Sequence, residues 1–335
     1  MNTNRTVNRT PRCQAIPWIV LGLVLAAFGC ADLSQEESLE AEYSVGKGDS
    51  TKQEESPGLE PLLPDFDPST CSYDKEDPFE PRARFTKGPW IGECLDTKTR
   101  RPVKVLGAPD EFSNVLELAN VFHDHGYWYA TIPVEEVQEV YFQLEYFPAA
   151  VPAGHTQIRL TFNKPVNLRG QSQWNYGKEV AIYNLVMSIE AVPRLGDKYD
   201  LVKGMQDHFG LAYRVTSLAA RYDSMITQQG HHVEQWPLEL TEREKAELLV
   251  AYAYESEALG LKDTYHTLFR NCTNELIKAI DAVVEYTVGE NIKKFLTKIT
   301  EFYPNAIRAA LIARGLLPLD QSTDWYPLEE DPTFH

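Results

Sequence analysis

Positive charge is scarce in this sequence, and the shortage excludes some classes of function. The 335 residues contain 32 Lys and Arg against 49 Asp and Glu, so the formal net charge is −17 at pH 7. A surface of that sign repels nucleic acid and anionic head groups at long range. We therefore expect no nucleic-acid partner.

Motifs for metals and cofactors are also lacking. The sequence has no internal repeat and no glycine-rich loop of the kind that binds phosphate. Cys71 and Cys94 lie far apart without a nearby histidine pair, which makes a weak zinc signature. On a strand, His123 and His125 would place both rings on one face, but no further ligands accompany them. We expect neither a metal nor a cofactor.

The first residues indicate export. The apolar run at 18–30 is shorter than the roughly 20 residues that a membrane-spanning helix needs. It follows a segment that contains Arg5, Arg9 and Arg12 and no acid. This pattern predicts a secretory signal peptide at residues 1–29.

The quartet Ala27-Phe28-Gly29-Cys30 resembles the lipobox of bacterial lipoproteins, in which the signal is cut before a cysteine that receives lipid. The resemblance implies lipidation of Cys30 and attachment to a membrane through that lipid. A plain signal peptide that is cleaved nearby is the alternative. No acid follows Cys30 directly, and similarity to enterobacterial sorting rules then favours the outer membrane, facing the periplasm.

The remaining chain divides by composition. Residues 30–70 are rich in Glu, Ser, Asp and Pro and predict a disordered acidic tether. Short strand patterns between turn signals predict a β-rich lead-in at 71–140. Residues 289–335 predict C-terminal helices, with Phe295 and Leu296 packed onto the domain, and a loose tail.

Between these segments, residues 141–288 carry the clearest periodicity. Strands are predicted at 137–147, at 154–162 with His155 near its start, and at 179–190. A helix with a capping box from Thr241 to Glu244 is predicted to run to about Gly260. The segment 197–221 indicates mixed structure.

A second helix is predicted to begin after Asn271, a good N-cap, so that Cys272 falls in its first turn. The unpaired N–H groups and the helix dipole stabilise a thiolate at that position. The alternative is a buried structural thiol. Cys13 leaves with the signal and Cys30 is assigned to lipid, so Cys71 and Cys94 are predicted to form a disulfide in an oxidising compartment.

Several short motifs resemble one known family. Gly154-His155 followed by Arg159, then Ser188-Ile189-Glu190, then Tyr265 through Asn271-Cys272-Thr273, resembles the periplasmic domain of the bacterial lipoprotein N-acyltransferase Lnb. The resemblance covers roughly residues 141 to 284. It implies an α+β, papain-like fold of the NlpC/P60 type in circularly permuted order, with histidine before cysteine, and hence a thiol acyltransferase-like catalytic domain at 141–288.

The chemistry of the residues supports a thiol site. A thiolate is a competent nucleophile near neutral pH when an imidazolium beside it depresses its pKa, and Cys272 and His155 are expected to form this pair. Glu190 or Ser188 is expected to orient the imidazole. Backbone N–H groups at Cys272 and Thr273 are candidates to stabilise an oxyanion. The resemblance implies supporting roles for residues of its motifs, namely Asn271, Arg159 and Tyr265.

These residues predict an enzyme of the cell envelope that transfers acyl groups from lipid or lipoprotein through a thioester on Cys272. Two alternatives stay open. The same pair of side chains performs amide or peptide cleavage in the cell wall in NlpC/P60-type enzymes, and a lipoprotein can also keep the fold for binding alone.

Overall fold

The computed structural model describes residues 66–110, 113–147, 154–298, 306–318 and 326–328. The predicted signal peptide, Cys30 with its lipobox and nearly all of the tether lie outside the described residues, as does most of the C-terminal tail. No helix within the described ranges is long and apolar enough to cross a membrane.

The described residues contain one sheet of ten strands and six α-helices. The strands are β1 (Lys104–Gly107), β2 (Val115–His123), β3 (Gly126–Pro133), β4 (Val137–Tyr146), β5 (Gly154–Gly170), β6 (Glu179–Val192), β7 (Phe209–Ser217), β8 (His232–Pro237), β9 (Thr264–Tyr265) and β10 (Tyr326–Pro327). The helices are α1 (Leu201–Gly204), α2 (Leu218–Tyr222), α3 (Glu242–Leu259), α4 (Cys272–Asp281), α5 (Val288–Leu296) and α6 (Ile307–Ala313). A π-helical turn, Asp223–Gln228, continues α2.

A bend in β5 lets the sheet close on itself. The first half of β5 pairs with β4 and its last residues pair with β3. Its register with β6 shifts between Thr161 and Val166, around Pro165, which has no N–H to donate. Because β3 also pairs with β2, and β2 pairs with β7 in parallel, strands β2, β7, β6, β5 and β3 form a closed circuit. The α+β part of the predicted fold class is therefore confirmed.

Five neighbouring strands, β8, β4, β5, β6 and β7, carry two rows of side chains in register. The apolar row lies on the face of the sheet that packs against α3 and α4, and it consists of Trp236, Phe142, Ile158, Met187 and Val215. The polar row lies one residue away on each strand, on the opposite face, and consists of Gln235, Gln143, Gln157, Ser188 and Arg214. Both rows are buried.

Most of the predicted elements are confirmed, and the exceptions have physical reasons. The strands at 137–147, 154–162 and 179–190 and the helix capped by Thr241 are present, the last with the reciprocal bonds of a capping box. The mixed structure predicted for 197–221 is present as helices α1 and α2 around strand β7, a strand that is buried along its whole length and that the sequence pattern did not single out. Its pattern is not apolar since Arg214 and Thr216 point to the polar face, where their neighbours are also polar.

The outer parts of the domain give one confirmation and two corrections. Cys71 and Cys94 are disulfide-bonded and lie 23 positions apart in the sequence. The predicted packing of Phe295 and Leu296 is wrong, because these side chains of α5 are 78% and 73% exposed. His123 ends β2, whereas His125 lies in the turn before β3, where positive φ angles fit a tight hairpin. The two rings therefore do not share a strand.

Candidate active site

The free thiol lies at the start of a helix. Cys272 is the first residue of α4, and the side chain of Asn271 accepts hydrogen bonds from the N–H groups of Thr273 (2.9 Å) and Asn274 (3.0 Å). Leu276, Ile277 and Ile280 fix the helix against the sheet, since all three are fully buried. Cys272 is 3% exposed, and it is the one free cysteine among the described residues. The positive end of the helix dipole favours its thiolate form.

His155 is the imidazole beside this thiol. It is the second residue of β5, and its side chain forms a hydrogen bond with Cys272. Burial alone would lower the pKa of His155, but the charges of Cys272 and Glu190 outweigh burial and raise it. Burial alone would raise the pKa of Cys272, but attraction to His155 and hydrogen bonds from His155 and Thr156 lower it to about 7. The pair therefore favours thiolate and imidazolium.

Glu190 lies on the far side of the imidazole. The register that pairs Gln157 with Ser188, continued by two residues, sets His155 opposite Glu190. Nε2 of His155 is 3.5 Å from Oε1 of Glu190, and Ser188 Oγ donates to the same carboxylate oxygen at 2.8 Å. Burial would raise the pKa of Glu190, yet His155 and nearby arginines hold it well below its usual range. The carboxylate is thus ionised, as an orienting group for an imidazolium must be.

Thr156 and Tyr265 complete the surroundings of the sulfur. The backbone N–H and the hydroxyl of Thr156 both help to lower the pKa of Cys272, and the hydroxyl donates a hydrogen bond to Thr273 Oγ1 at 3.2 Å. The hydroxyl of Tyr265 donates toward Sγ at 3.9 Å, and the Cys272 N–H interacts with that hydroxyl. Burial and the neighbouring thiolate raise the pKa of Tyr265 well above its ordinary value. Tyr265 therefore stays protonated and can donate a hydrogen bond to an oxyanion formed next to the sulfur.

Two predicted supporting residues have other partners. The N–H of Thr273 is bound by the Asn271 cap, so it is not available to an oxyanion, although its Oγ1 lies 3.9 Å from Sγ. Arg159 is four residues from His155 along β5, which corresponds to about 13 Å. Its guanidinium donates to Asn184 on the adjacent strand β6 and to Gln235 on β8, two strands away. The structure thus brings Cys272, His155, Glu190, Ser188, Asn271 and Tyr265 together, and it holds Arg159 in the polar face further along.

Sequence reasoning missed the charges behind Glu190. Arg221 on α2 lies 3.7 Å from Glu190 and also donates to Glu145 (3.1 Å) and Gln157 (2.6 Å). His231 lies 2.6 Å from the other oxygen of Glu145, so this carboxylate is shared by two basic groups. No local motif marks these residues, because they come from β4, β5, α2 and the residue that precedes β8. Alternation indicates the face of β4 on which Glu145 lies, but only the register of β4 with β5 sets it directly across the ladder from His155.

Comparison with family models identifies the class of protein. The model described as the Lnb N-terminal periplasmic domain matches residues 125–300, which is more than half of the chain and contains every residue of the thiol site. The protein is therefore a periplasmic, envelope-associated protein. It belongs to the family of Lnb N-terminal periplasmic domains. Searches of curated proteins and of solved structures gave no match.

Proposed function

We propose that this domain is a thiol acyltransferase that uses lipid or lipoprotein as the acyl donor. One observation carries the proposal: the Cys272 thiol, with its pKa lowered to about 7, interacts directly with His155, whose other nitrogen faces the ionised Glu190. A buried thiol with no chemical role has no need of an imidazolium and two further hydrogen-bond donors.

The proposed reaction has two steps. The Cys272 thiolate attacks the carbonyl carbon of an ester, and Tyr265 and Thr156 are the donors nearest to the developing oxyanion. The carbon–oxygen bond breaks, His155 gives its proton to the leaving alkoxide, and the acyl group remains on sulfur as a thioester. An amine then attacks the thioester, its proton passes to His155, and the thiolate is regenerated.

Apolar side chains exposed beside the site favour a lipid substrate over a muropeptide. Tyr199 is 43% exposed, its hydroxyl lies 3.3 Å from Thr267 Oγ1, and its ring meets that of Tyr265 edge-on. Val202 and Phe269 in the same two segments are 57% and 66% exposed. Exposed apolar surface of this kind next to a catalytic group suits an acyl chain better than a sugar or a polar peptide.

The proposal includes features that go with this chemistry in the family. His155 precedes Cys272 in the chain, which agrees with a papain-like domain in permuted order. Lipidation of Cys30 would hold the enzyme at the outer membrane, on its periplasmic side, near acyl donors. A Cys30→Ser variant is expected to move from the membrane fraction to the soluble periplasmic fraction, and a mature chain that starts elsewhere without lipid would refute the anchor.

Mass spectrometry of the trapped acyl enzyme tests the reaction. The full-length protein in detergent is incubated separately with phospholipid, a synthetic diacylated lipopeptide and muropeptides, and peptides containing Cys272 are weighed. We expect a mass increase equal to one acyl chain with the phospholipid or the lipopeptide, and none in His155→Asn.

The matched control is His232→Asn, because His232 is an exposed histidine of the same domain. It is expected to acylate like the natural chain. Cleavage of muropeptides with no acyl adduct would replace the proposal by the amidase alternative, and no reaction in any arm would leave binding alone.

A further inference from the structure

A cavity of about 450 Å³ has Glu190 in its wall. Neither Cys272 nor His155 lines it. Its walls come from β2 and the hairpin turn after it, from the segment before β1, from β6 and β7, and from α2 with its π-helical turn. The volume is within the usual range for a small-ligand pocket.

Three arginines line this cavity, and all three lie near the carboxylate of Glu190. Arg100, Arg214 and Arg221 lie 3.8, 4.0 and 3.7 Å from the oxygens of Glu190. Glu190 is already engaged by His155 and Ser188. Arg221 has a second carboxylate partner in Glu145, whereas Arg100 and Arg214 have no ion pair other than Glu190 among the described residues, so Glu190 alone does not offset their charge.

Arg214 is the group whose hydrogen bonds are unmet. It is 8% exposed, and its Nε is buried with no hydrogen-bond partner. No described residue accepts a hydrogen bond from its guanidinium, which lies over the ring of Phe122 at 4.7 Å. Burying a charged donor without an acceptor is costly, so an acceptor from outside the protein is expected. Arg221 differs, because Glu145 and Gln157 accept its hydrogen bonds.

The donor set fits a phosphate group. Guanidinium groups bind oxyanions through paired N–H donors, and several of them around one point suit an anion with several oxygens. Asp124 and Asp223 also line the cavity, but Asp223 accepts a hydrogen bond from Gln228, and neither pairs with the three arginines among the described residues. The anion therefore belongs at the arginine end of the cavity, and the rest of the volume has room for whatever the phosphate is attached to.

We propose that this cavity, the arginine cavity, binds a phosphate group, either as inorganic phosphate or as the phosphate ester of a lipid head group. The inference does not rest on the proposed thiol reaction, since the residues that line the cavity do not touch Cys272, although the same arginines also keep Glu190 ionised. It also gives a role to the segment around His123 and His125, which lines the cavity without a metal cluster among the described residues.

Calorimetric titration of the full-length protein with inorganic phosphate at constant ionic strength tests the site. We expect saturable binding that Arg214→Gln weakens at least about tenfold, since one charge-assisted contact is lost. Arg100→Gln is the second variant, because its partly exposed side chain is replaced with little risk to folding. Arg243→Gln is the matched control, since this arginine is exposed and pairs elsewhere, with Glu247 and Glu285.

Parallel titrations identify the source of the phosphate. Dihexanoyl phosphatidylglycerol below its micelle concentration is compared with inorganic phosphate and with uncharged dihexanoylglycerol. If the phospholipid binds more tightly than inorganic phosphate and Arg100→Gln weakens its binding, the natural ligand is a lipid head group. If the phospholipid binds equally or more weakly than inorganic phosphate, the natural ligand is the free ion. Absence of saturable binding by both phosphate probes would overturn the proposal, as would binding that Arg100→Gln and a folded Arg214→Gln leave unchanged.

Discussion

The apolar row and the polar row cross the same five strands one residue apart, and both are buried, yet they contribute different things. The apolar row packs against α3 and α4 and gains free energy from the area that it removes from water. The polar row gains little net free energy, because its hydrogen bonds replace bonds to water. It supplies geometry instead: Gln157 accepts from Arg221, and Ser188 donates to Glu190.

Satisfied polar groups inside a sheet have a specific consequence for the site. The hydrogen bonds of a buried polar row are satisfied in only one strand register, because a shifted strand leaves buried donors and acceptors unpaired. His155 and Glu190 stand two residues along the same ladder from Gln157 and Ser188. The polar row therefore fixes the imidazole and its carboxylate, while the apolar row holds the strands that carry them.

Removal of the nucleophile is expected to have the largest effect. Cys272→Ala should lower turnover by about 10⁴-fold or more, and His155→Ala by a similar factor, because the thiolate and the imidazolium act as one unit. The double variant should be no worse than either single one. Activity and thermal unfolding are measured together, and a loss of activity that merely follows a loss of folding would contradict the prediction.

Truncation of a side chain in the apolar row is expected to lower the free energy of unfolding more than a substitution in the polar row. Ile158→Ala removes a fully buried side chain and should lower the free energy of unfolding by about 2–5 kcal/mol. The thiol pKa should change little, because His155, whose charge lowers it, lies on the opposite face of the sheet from Ile158. Denaturant unfolding and a pH titration of thiol reactivity measure the two quantities. A shifted thiol titration in a folded Ile158→Ala protein would mean that the two rows are not separable.

Removal of a hydrogen-bonding side chain from the polar row should cost less stability but more activity than Ile158→Ala. Gln157→Leu keeps the size of the side chain but leaves Arg221 and Gln143 without their bonds to it. Loss of these partners should cost about 1–3 kcal/mol. Acylation should nevertheless fall further than in Ile158→Ala, because Arg221 is released from its place beside Glu190. If the two variants lose activity in proportion to stability alone, the division of roles fails.

The same two rows explain how far the sequence could be interpreted. The helix start at Asn271 and the strand that carries His155 were predicted because capping residues and alternation are local signals. Strand β7 was missed because its outward positions look exposed in sequence, whereas Arg214 and Thr216 are buried against other polar groups. The partners of Glu190 come from distant segments, so no spacing along the chain indicates them. The packing of Phe295 and Leu296 was wrongly predicted for a similar reason. Amphipathic spacing shows that a helix has an apolar face, but it does not show whether another element covers that face.

The smallest expected effect is on the thiol titration in Glu190→Gln. In the natural chain, iodoacetamide reactivity of Cys272 should rise with pH through a midpoint near 7, because its pKa is lowered and the thiolate forms above that value. Glu190 raises the pKa of His155, so its neutral replacement leaves less imidazolium, and the Cys272 midpoint should move to higher pH.

Glu247→Gln on the exposed side of α3 is the matched control and should leave the midpoint in place. Reactivity at pH 6 should therefore fall in Glu190→Gln, while reactivity well above both midpoints should match that of the natural chain. A midpoint unchanged by Glu190→Gln would show that the thiolate is stabilised by the start of the helix and by Thr156, and not by the effect of Glu190 on His155.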